Sequence, residues 1–244
     1  MIPLVRLEDA SVTVGLRMLL SPATLQIRRG ETWVFLGGNG SGKTILSEVV
    51  AGIRKPSAGR AIFAADFVPE RDVQVLSFEE QLRLVQRERQ TDESWIMHGA
   101  TDQGTSVWDF VAGGRPSRRA ETAPGNDDAG GDARIEKLFT EFRIGHLRKR
   151  GLRFLSTGEI RKAILCRALA AGPKLLVLDD PYDGLDITAQ QELHETVARV
   201  SARGTAVILV LSRESETSDA VTHVVFLDDG VLALADHPEV DVEH

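Results

Sequence analysis

Residues 37–44 read Gly-Gly-Asn-Gly-Ser-Gly-Lys-Thr, and the strand-like run Thr32-Trp33-Val34-Phe35-Leu36 leads straight into them. This is a full match to G-x-x-x-x-G-K-[ST], and it leaves the chain few folds to adopt, because such a loop works only where a strand delivers it to a helix N-terminus. Ile45, Leu46, Val49 and Val50 then continue at helical spacing. The glycines permit backbone angles that turn consecutive N–H groups toward one centre, which is a cradle for phosphate. On this reading Gly37, Gly38, Asn39, Gly40, Ser41 and Gly42 form the cradle. Lys43 adds a point charge for the β/γ-phosphates of a nucleoside triphosphate, and the Thr44 hydroxyl is a ligand for Mg²⁺. A glycine-rich turn that merely spells the motif loses to the strand before it and the helix after it.

With 244 residues and 42% hydrophobic content, the chain has the means to bury one large α/β core with a small appended lobe. Its longest apolar runs, 206–211 and 224–227, have strand length and fall far short of the ~20 residues that cross a bilayer. The N-terminal MIPLVRLEDA lacks a signal-peptide pattern, and one cysteine cannot form an internal disulfide, so the expected home is a reducing cytoplasm. Cys166 lies on the apolar side of a helical stretch and reads as a buried structural thiol. A net charge of −7 argues against a large nucleic-acid surface.

Turn residues separate short strands between positions 4 and 36, an edge sheet feeding the core. A strand follows at 60–63. Two helices at 78–89 and 106–112 begin a helical subdomain spanning about 78–154, with the core made of 1–77 and 155–244. Residues 113–133 hold almost nothing apolar until their end and read as a flexible loop. Helical spacing resumes at 135–142 and 161–171. Strand 175–178, helix 188–202 and strand 206–211 then alternate, which predicts a mostly parallel sheet covered on both faces. The last predicted element is a hairpin over 224–234, with a primed turn at Asp228-Asp229-Gly230.

Two further motifs sharpen the reading. Leu175-Leu176-Val177-Leu178-Asp179 is an apolar strand ending in a carboxylate, which places Asp179 at the carboxyl edge of the sheet as a second Mg²⁺ ligand. Leu155-Ser156-Thr157-Gly158-Glu159 precedes a helix, and Asp183-Gly184-Leu185-Asp186 follows the strand. In this order the four motifs resemble the ATP-binding cassette ATPases, whose signature usually reads LSGGQ. The resemblance covers essentially the whole chain and implies a P-loop NTPase fold with an antiparallel edge subdomain and a helical subdomain. It also implies a site built across a dimer: Ser156, Thr157, Gly158 and Glu159 of one cassette act on ATP held by another. A helix N-cap is the plainer reading of the same residues. More narrowly, LSTGEIRKAILCRAL, LDDPYDGLD and VLSFEEQLRLV resemble the amino-terminal cassette of two-cassette ATPases associated with molybdenum uptake and photorepair. The partner is then a second cassette, a copy of this chain or another protein, together with a membrane transport subunit at the inner face of the membrane.

Departures from the family pattern matter for rate. The residue after Asp179 is usually Glu and is here Asp180, so the water-orienting carboxylate sits on a shorter arm and hydrolysis should be slow. Where a histidine usually follows the strand at 206–211, Ser212 and Arg213 stand; Arg213 is either a fixed cation toward the γ-phosphate or a surface residue at the strand end. No aromatic ring stands between Ser11 and Leu20 to stack on adenine, and only Val12 or Val14 offers apolar contact. Neither Gln74 nor Gln81 is clearly the glutamine that senses Mg²⁺ in the family. The basic cluster His146, Arg148, Lys149, Arg150 and Arg153 reads as a solvated face rather than an anion site. His194 and His223 read as structural, and Trp33, Trp95 and Trp108 as packing residues. The expected function is Mg²⁺-dependent ATP hydrolysis by a dimeric cassette linked to transport, of molybdate in the narrower resemblance. The alternative is a nucleotide switch that pairs on ATP with little turnover.

Overall fold

The computed structural model describes residues 2–78, 83, 104–113, 129–213 and 220–235. It divides into two compact units, Met1–Ser77 with Pro173–His244, and Phe78–Gly172.

The first unit is built on a six-stranded sheet in the order β5-β6-β7-β3-β8-β9, comprising Val73–Ser77, Leu175–Asp179, Ala206–Leu211, Thr32–Leu36, His223–Asp228 and Val231–Ala235. The first five strands run parallel, and β9 turns back against β8. Every residue of β3 and β7 is buried, which is why both read in sequence as unbroken apolar runs. Asp229 and Gly230 both take positive φ (42° and 78°), as the primed turn requires. A separate antiparallel sheet, β2-β1-β4, is formed by Arg17–Ile27, Val5–Val14 and Ala58–Phe63. Helix α1 (Lys43–Val50) buries Leu46, Val49 and Val50 in a core shared with Val5, Leu25, Phe35, Val177 and Val210.

Strand β5 was not anticipated. It is an edge strand with Val75 exposed and Gln74 inside it, so it lacks the continuous apolar run that marks a buried strand. What holds its entry is a short helix α2 (Pro69–Asp72) and one buried carboxylate. Asp72 accepts from the Val68 N–H (2.9 Å), from Arg71 Nε and Nη2 (2.7 and 2.9 Å) and from Lys174 Nζ (3.0 Å). These donors, the Arg71 guanidinium first, hold the Asp72 carboxyl far below the usual carboxylate range. A folded-state pKa below the unfolded value means that the unfolded chain takes the proton first. The stabilisation is therefore complete above pH ~4–5 and is lost as pH falls through the depressed folded value. Asp72→Asn is expected to cost about 2–3 kcal/mol at pH 7, and this cost should shrink in denaturant melts repeated from pH 7 toward pH 3. An equal cost at both ends would show that the charge is not what holds β5.

The second unit is helical. Helix α3 (Val107–Val111) is capped by Ser106, whose Oγ accepts from the Asp109 N–H at 3.1 Å. Helix α4 spans Ala129–Glu141 and α5 spans Thr157–Ala170. Both helices start earlier than expected. Residues 129–133, assigned to the flexible loop by composition, are the first turn of α4. The signature helix, assigned to the core, groups with Phe78–Gly172. Trp108 packs edge-on against Phe139 at 5.6 Å, and Arg148 lies 3.8 Å over the Trp108 ring while pairing with Glu136. Arg148 is thereby occupied within its own unit, in keeping with a packing role for part of the basic cluster. Cys166 is fully buried, and burial pushes its thiol up, as suits an inert thiol. Trp33 is buried and stacks on His223 at 4.2 Å. Trp95 and Gln81 lie outside the described residues, as does nearly all of the expected helix at 78–89.

Candidate functional site

The glycine loop leaves β3 at the carboxyl end of the parallel strands and closes onto α1. Gly37 has no room for a side chain: a Cβ there would stand 2.2 Å from the Leu227 carbonyl oxygen and 2.6 Å from Ser41 Oγ. Gly42, the N-cap of α1, has φ 104°, a left-handed angle costly for any other residue. The loop is clamped from outside. The Gly230 N–H donates to the Ser41 carbonyl (2.9 Å), and the Ser21 N–H donates to the Gly230 carbonyl (2.7 Å). The Leu19 carbonyl of β2 lies 3.0 Å from where a Gly42 Cβ would be.

Lys43 is folded into this loop, 7% exposed, with Nζ donating to the Gly37 and Gly38 carbonyls at 2.7 and 2.9 Å. Thr44 is exposed beside it. No side chain caps α1 and no acidic residue stands in its first turn, so its leading N–H groups and positive end stay available to an anion. Ser41 Oγ is buried with no hydrogen-bond partner among the described residues.

Asp179 is the last residue of β6, at the carboxyl edge of the sheet. Asp179 and Phe35 both register with Val210, so they stand at one height two strands apart, about 10 Å. Burial, then the neighbouring Asp180 charge, push the Asp179 carboxyl above its usual range, while Lys43 pulls it back. A half-buried carboxylate under that penalty is suited to a cation, and one carboxylate with a hydroxyl and phosphate oxygens is how Mg²⁺ is commonly held. Among the described residues, no group of three or more His, Cys, Asp and Glu gathers to form a metal cage.

Asp180 takes a left-handed φ of 43°, and its carboxylate accepts from the Ser212 hydroxyl at 3.3 Å. Arg213 is exposed beyond β7, and the hydroxyl that reaches Asp180 belongs to the residue before it. In the helical unit, Ser156 and Glu159 form a reciprocal capping box: Ser156 Oγ accepts from the Glu159 N–H (3.3 Å), and Glu159 Oε2 accepts from the Ser156 N–H (2.7 Å). That backbone bond holds the Glu159 carboxyl below its ordinary value. Ser156, Thr157 and Gly158 are exposed, so the capped N-terminus of α5 is accessible. Gln74 lies inside β5 opposite Leu176 rather than after a strand.

A cavity of about 280 Å³ opens against the loop, lined by Arg17 and Leu19 of β2 and by residues 40–45. Neither β2 residue was singled out in sequence. Of the two valines, Val12 or Val14, that offered apolar contact in sequence, Val12 is buried in the core and Val14 is 56% exposed at the hairpin end.

A phosphate loop closing on a helix, with a carboxylate-tipped strand two places away in the same parallel sheet, defines a P-loop nucleotide-binding cassette. Residues 20–183 match the ABC transporter family. The chain is 34% identical over 210 residues to the ABC transporter ATP-binding protein ModF of Escherichia coli, covering 86% of this chain and 39% of that protein. It is 27% identical over 230 residues to the sulfate/thiosulfate import ATP-binding protein CysA of Pseudomonas aeruginosa, covering 93% of this chain and 65% of that one. The chain thus spans less than two thirds of either relative. In fold it is similar to cbiO1 of Clostridium perfringens, part of the ABC transporter complex cbiONQ, with a TM-score of 0.74 at 20% identity over 95% of this chain and 87% of that one. The chain belongs to the ABC transporter family. No helix among the described residues is long and apolar enough to cross a membrane.

Proposed function

We propose that this cassette hydrolyses ATP with Mg²⁺ as one half of a pair and couples that cycle to transport. The observation that carries the reading is the loop itself: Lys43 buried among its carbonyls, uncapped α1 N–H groups behind it, and Asp179 at the end of β6 within the influence of the Lys43 charge. Residues 37–44 hold the phosphates. Thr44 and Asp179 hold Mg²⁺, which when bound neutralises phosphate charge. Asp180 orients the attacking water, and the exposed Ser156–Gly158 terminus addresses the nucleotide of the opposite cassette. The reading of a pair is supported by the exposure of Ser156, Thr157 and Gly158 at the start of α5. The protein works at the inner face of a membrane with a transport subunit, and molybdate is the cargo that the likeness to ModF suggests. A nucleic-acid partner is disfavoured by the net charge of −7.

Asp180 favours a second reading. Its short carboxylate is already engaged by Ser212, as suits slow turnover and a switch that pairs on ATP and rarely resets. Turnover measured across a protein concentration series decides between the two. A rate that rises more steeply than concentration supports a hydrolysing pair. ATP-dependent pairing seen by sedimentation without phosphate release supports the switch. Turnover that stays proportional to concentration, with monomer throughout, removes the paired site altogether.

A further inference from the structure

We infer that Gly230, in the turn between β8 and β9, is a positioning residue for phosphate binding: it fixes the peptide that aims the Gly42 N–H at the anion. This deepens the reading of residues 37–44 as the phosphate site and rests on it. Gly230 is not among the described residues that line the cavity, so it acts through the loop. Its N–H donates to the Ser41 carbonyl at 2.9 Å. In a trans peptide the carbonyl and the following N–H point in opposite directions. The bond therefore turns the 41–42 peptide with its oxygen toward the hairpin and its Gly42 N–H away from it, to the inside of the loop. The Ser41 N–H is already spent on the Gly38 carbonyl at 3.2 Å, so the orientation of the next peptide sets what this part of the loop presents.

The same hairpin grips the loop at both ends. At the entry the Leu227 carbonyl oxygen stands 2.2 Å from the Cβ position of Gly37, and at the exit the Gly230 Cα stands 3.4 Å from that of Gly42. Gly230 is pinned in turn. Its carbonyl accepts from the Ser21 N–H of β2 at 2.7 Å, and its φ is 78°. A Cβ on Gly230 would stand 2.8 Å from the Leu19 carbonyl oxygen and 3.1 Å from the carbon that bears it, and backbone atoms cannot swing aside as a flexible side chain would. Any side chain here must push the turn off β2, and with it the donor off Ser41. Glycine is required twice, by angle and by close approach, whereas a turn that only joined two strands would require the angle alone.

The full chain with Mg²⁺ is titrated calorimetrically with ATP and with inorganic tripolyphosphate, for the wild type, Gly230→Ala, Ser21→Pro and Gly30→Ala. Gly230→Ala should weaken both ligands by a similar factor, about 5- to 50-fold, since what is lost is an oriented donor to a charged group. Gly30→Ala is the matched control: Gly30 also has a positive φ (76°), and its Cβ would stand 3.1 Å from the Ser201 carbonyl oxygen, before β3 and at the end of that strand away from the loop. It should lower Tm by a few degrees, as Gly230→Ala does, and leave both affinities within about twofold of wild type. Ser21→Pro removes the N–H that holds the Gly230 carbonyl while leaving Gly230 itself unaltered, and should weaken both ligands about 3- to 10-fold. It carries the test if Gly230→Ala does not fold. Affinities within about twofold of wild type in Gly230→Ala or, where that variant does not fold, in Ser21→Pro would make Gly230 a turn residue only and overturn the inference. So would a loss confined to ATP, which would place the effect away from the phosphates. A wild type that binds neither ligand would reject residues 37–44 as the phosphate site, and the role of Gly230 with it.

Discussion

Lys43→Ala is expected to lower ATP turnover by at least about 10²–10³-fold, the loss found when one preorganised charge is removed from a water-poor site. The size follows from where the ammonium is. Lys43 is buried and fixed by two carbonyls of the loop it serves, so its charge needs no reorganisation to meet developing negative charge on the phosphates. The same two bonds tie the loop together, and removing them should cost about 1–1.5 kcal/mol, a fall in Tm of about 2–6 °C. That is far too little to unfold the chain, so lost turnover cannot be ascribed to lost structure. Lys43→Arg should not rescue the rate, since a planar fork does not fit between two carbonyls that hold a compact ammonium. A Lys43→Ala variant turning over within threefold of wild type would mean that the loop is not the catalytic phosphate site.

The loop, β3 and Asp179 were legible in sequence because the chemistry fixes both residue type and spacing, and because a strand buried on both faces must be apolar throughout. Strand β7 is found at the very residues its apolar run marks, Ala206–Leu211. Edge strand β5 carries no such mark. The first turn of α4 contains Gly130 and Gly131, each costing about 1 kcal/mol against alanine, and local propensity argued for a loop; Ile135, Leu138 and Phe139 behind them are all buried. Arg17 and Leu19 reach the cavity only because β2 passes the loop in the folded chain, an approach that no local pattern encodes. Ser212 was overlooked in favour of Arg213 for a related reason. Which of two consecutive residues after a strand faces a neighbour is decided by the register of β6 and β7, not by their charge.

Asp180 should separate the enzyme from the switch by two substitutions of opposite effect. Asp180→Asn keeps the shape and removes the base, so phosphate release is expected to fall about 10²–10⁴-fold with ATP affinity unchanged. Asp180→Glu extends the carboxylate by one methylene and should raise turnover about tenfold or more, since a misplacement near 1 Å costs on the order of 10²-fold. The extension has a conformational penalty. Asp180 sits at φ 43°, where aspartate is far more at ease than glutamate, so the faster variant should melt a few degrees lower. Ser212 adds a second handle. Its hydroxyl holds the Asp180 carboxylate, and Ser212→Ala should change turnover several-fold in the wild type but not in the Asp180→Asn background, because the two residues act through one contact. A short carboxylate at this position is then a trade, backbone ease at a left-handed turn against reach toward water, and slow turnover is its consequence. If Asp180→Asn leaves phosphate release unchanged, water is oriented elsewhere; if Asp180→Glu alone turns over while the wild type pairs on ATP without hydrolysis, the natural protein is the switch.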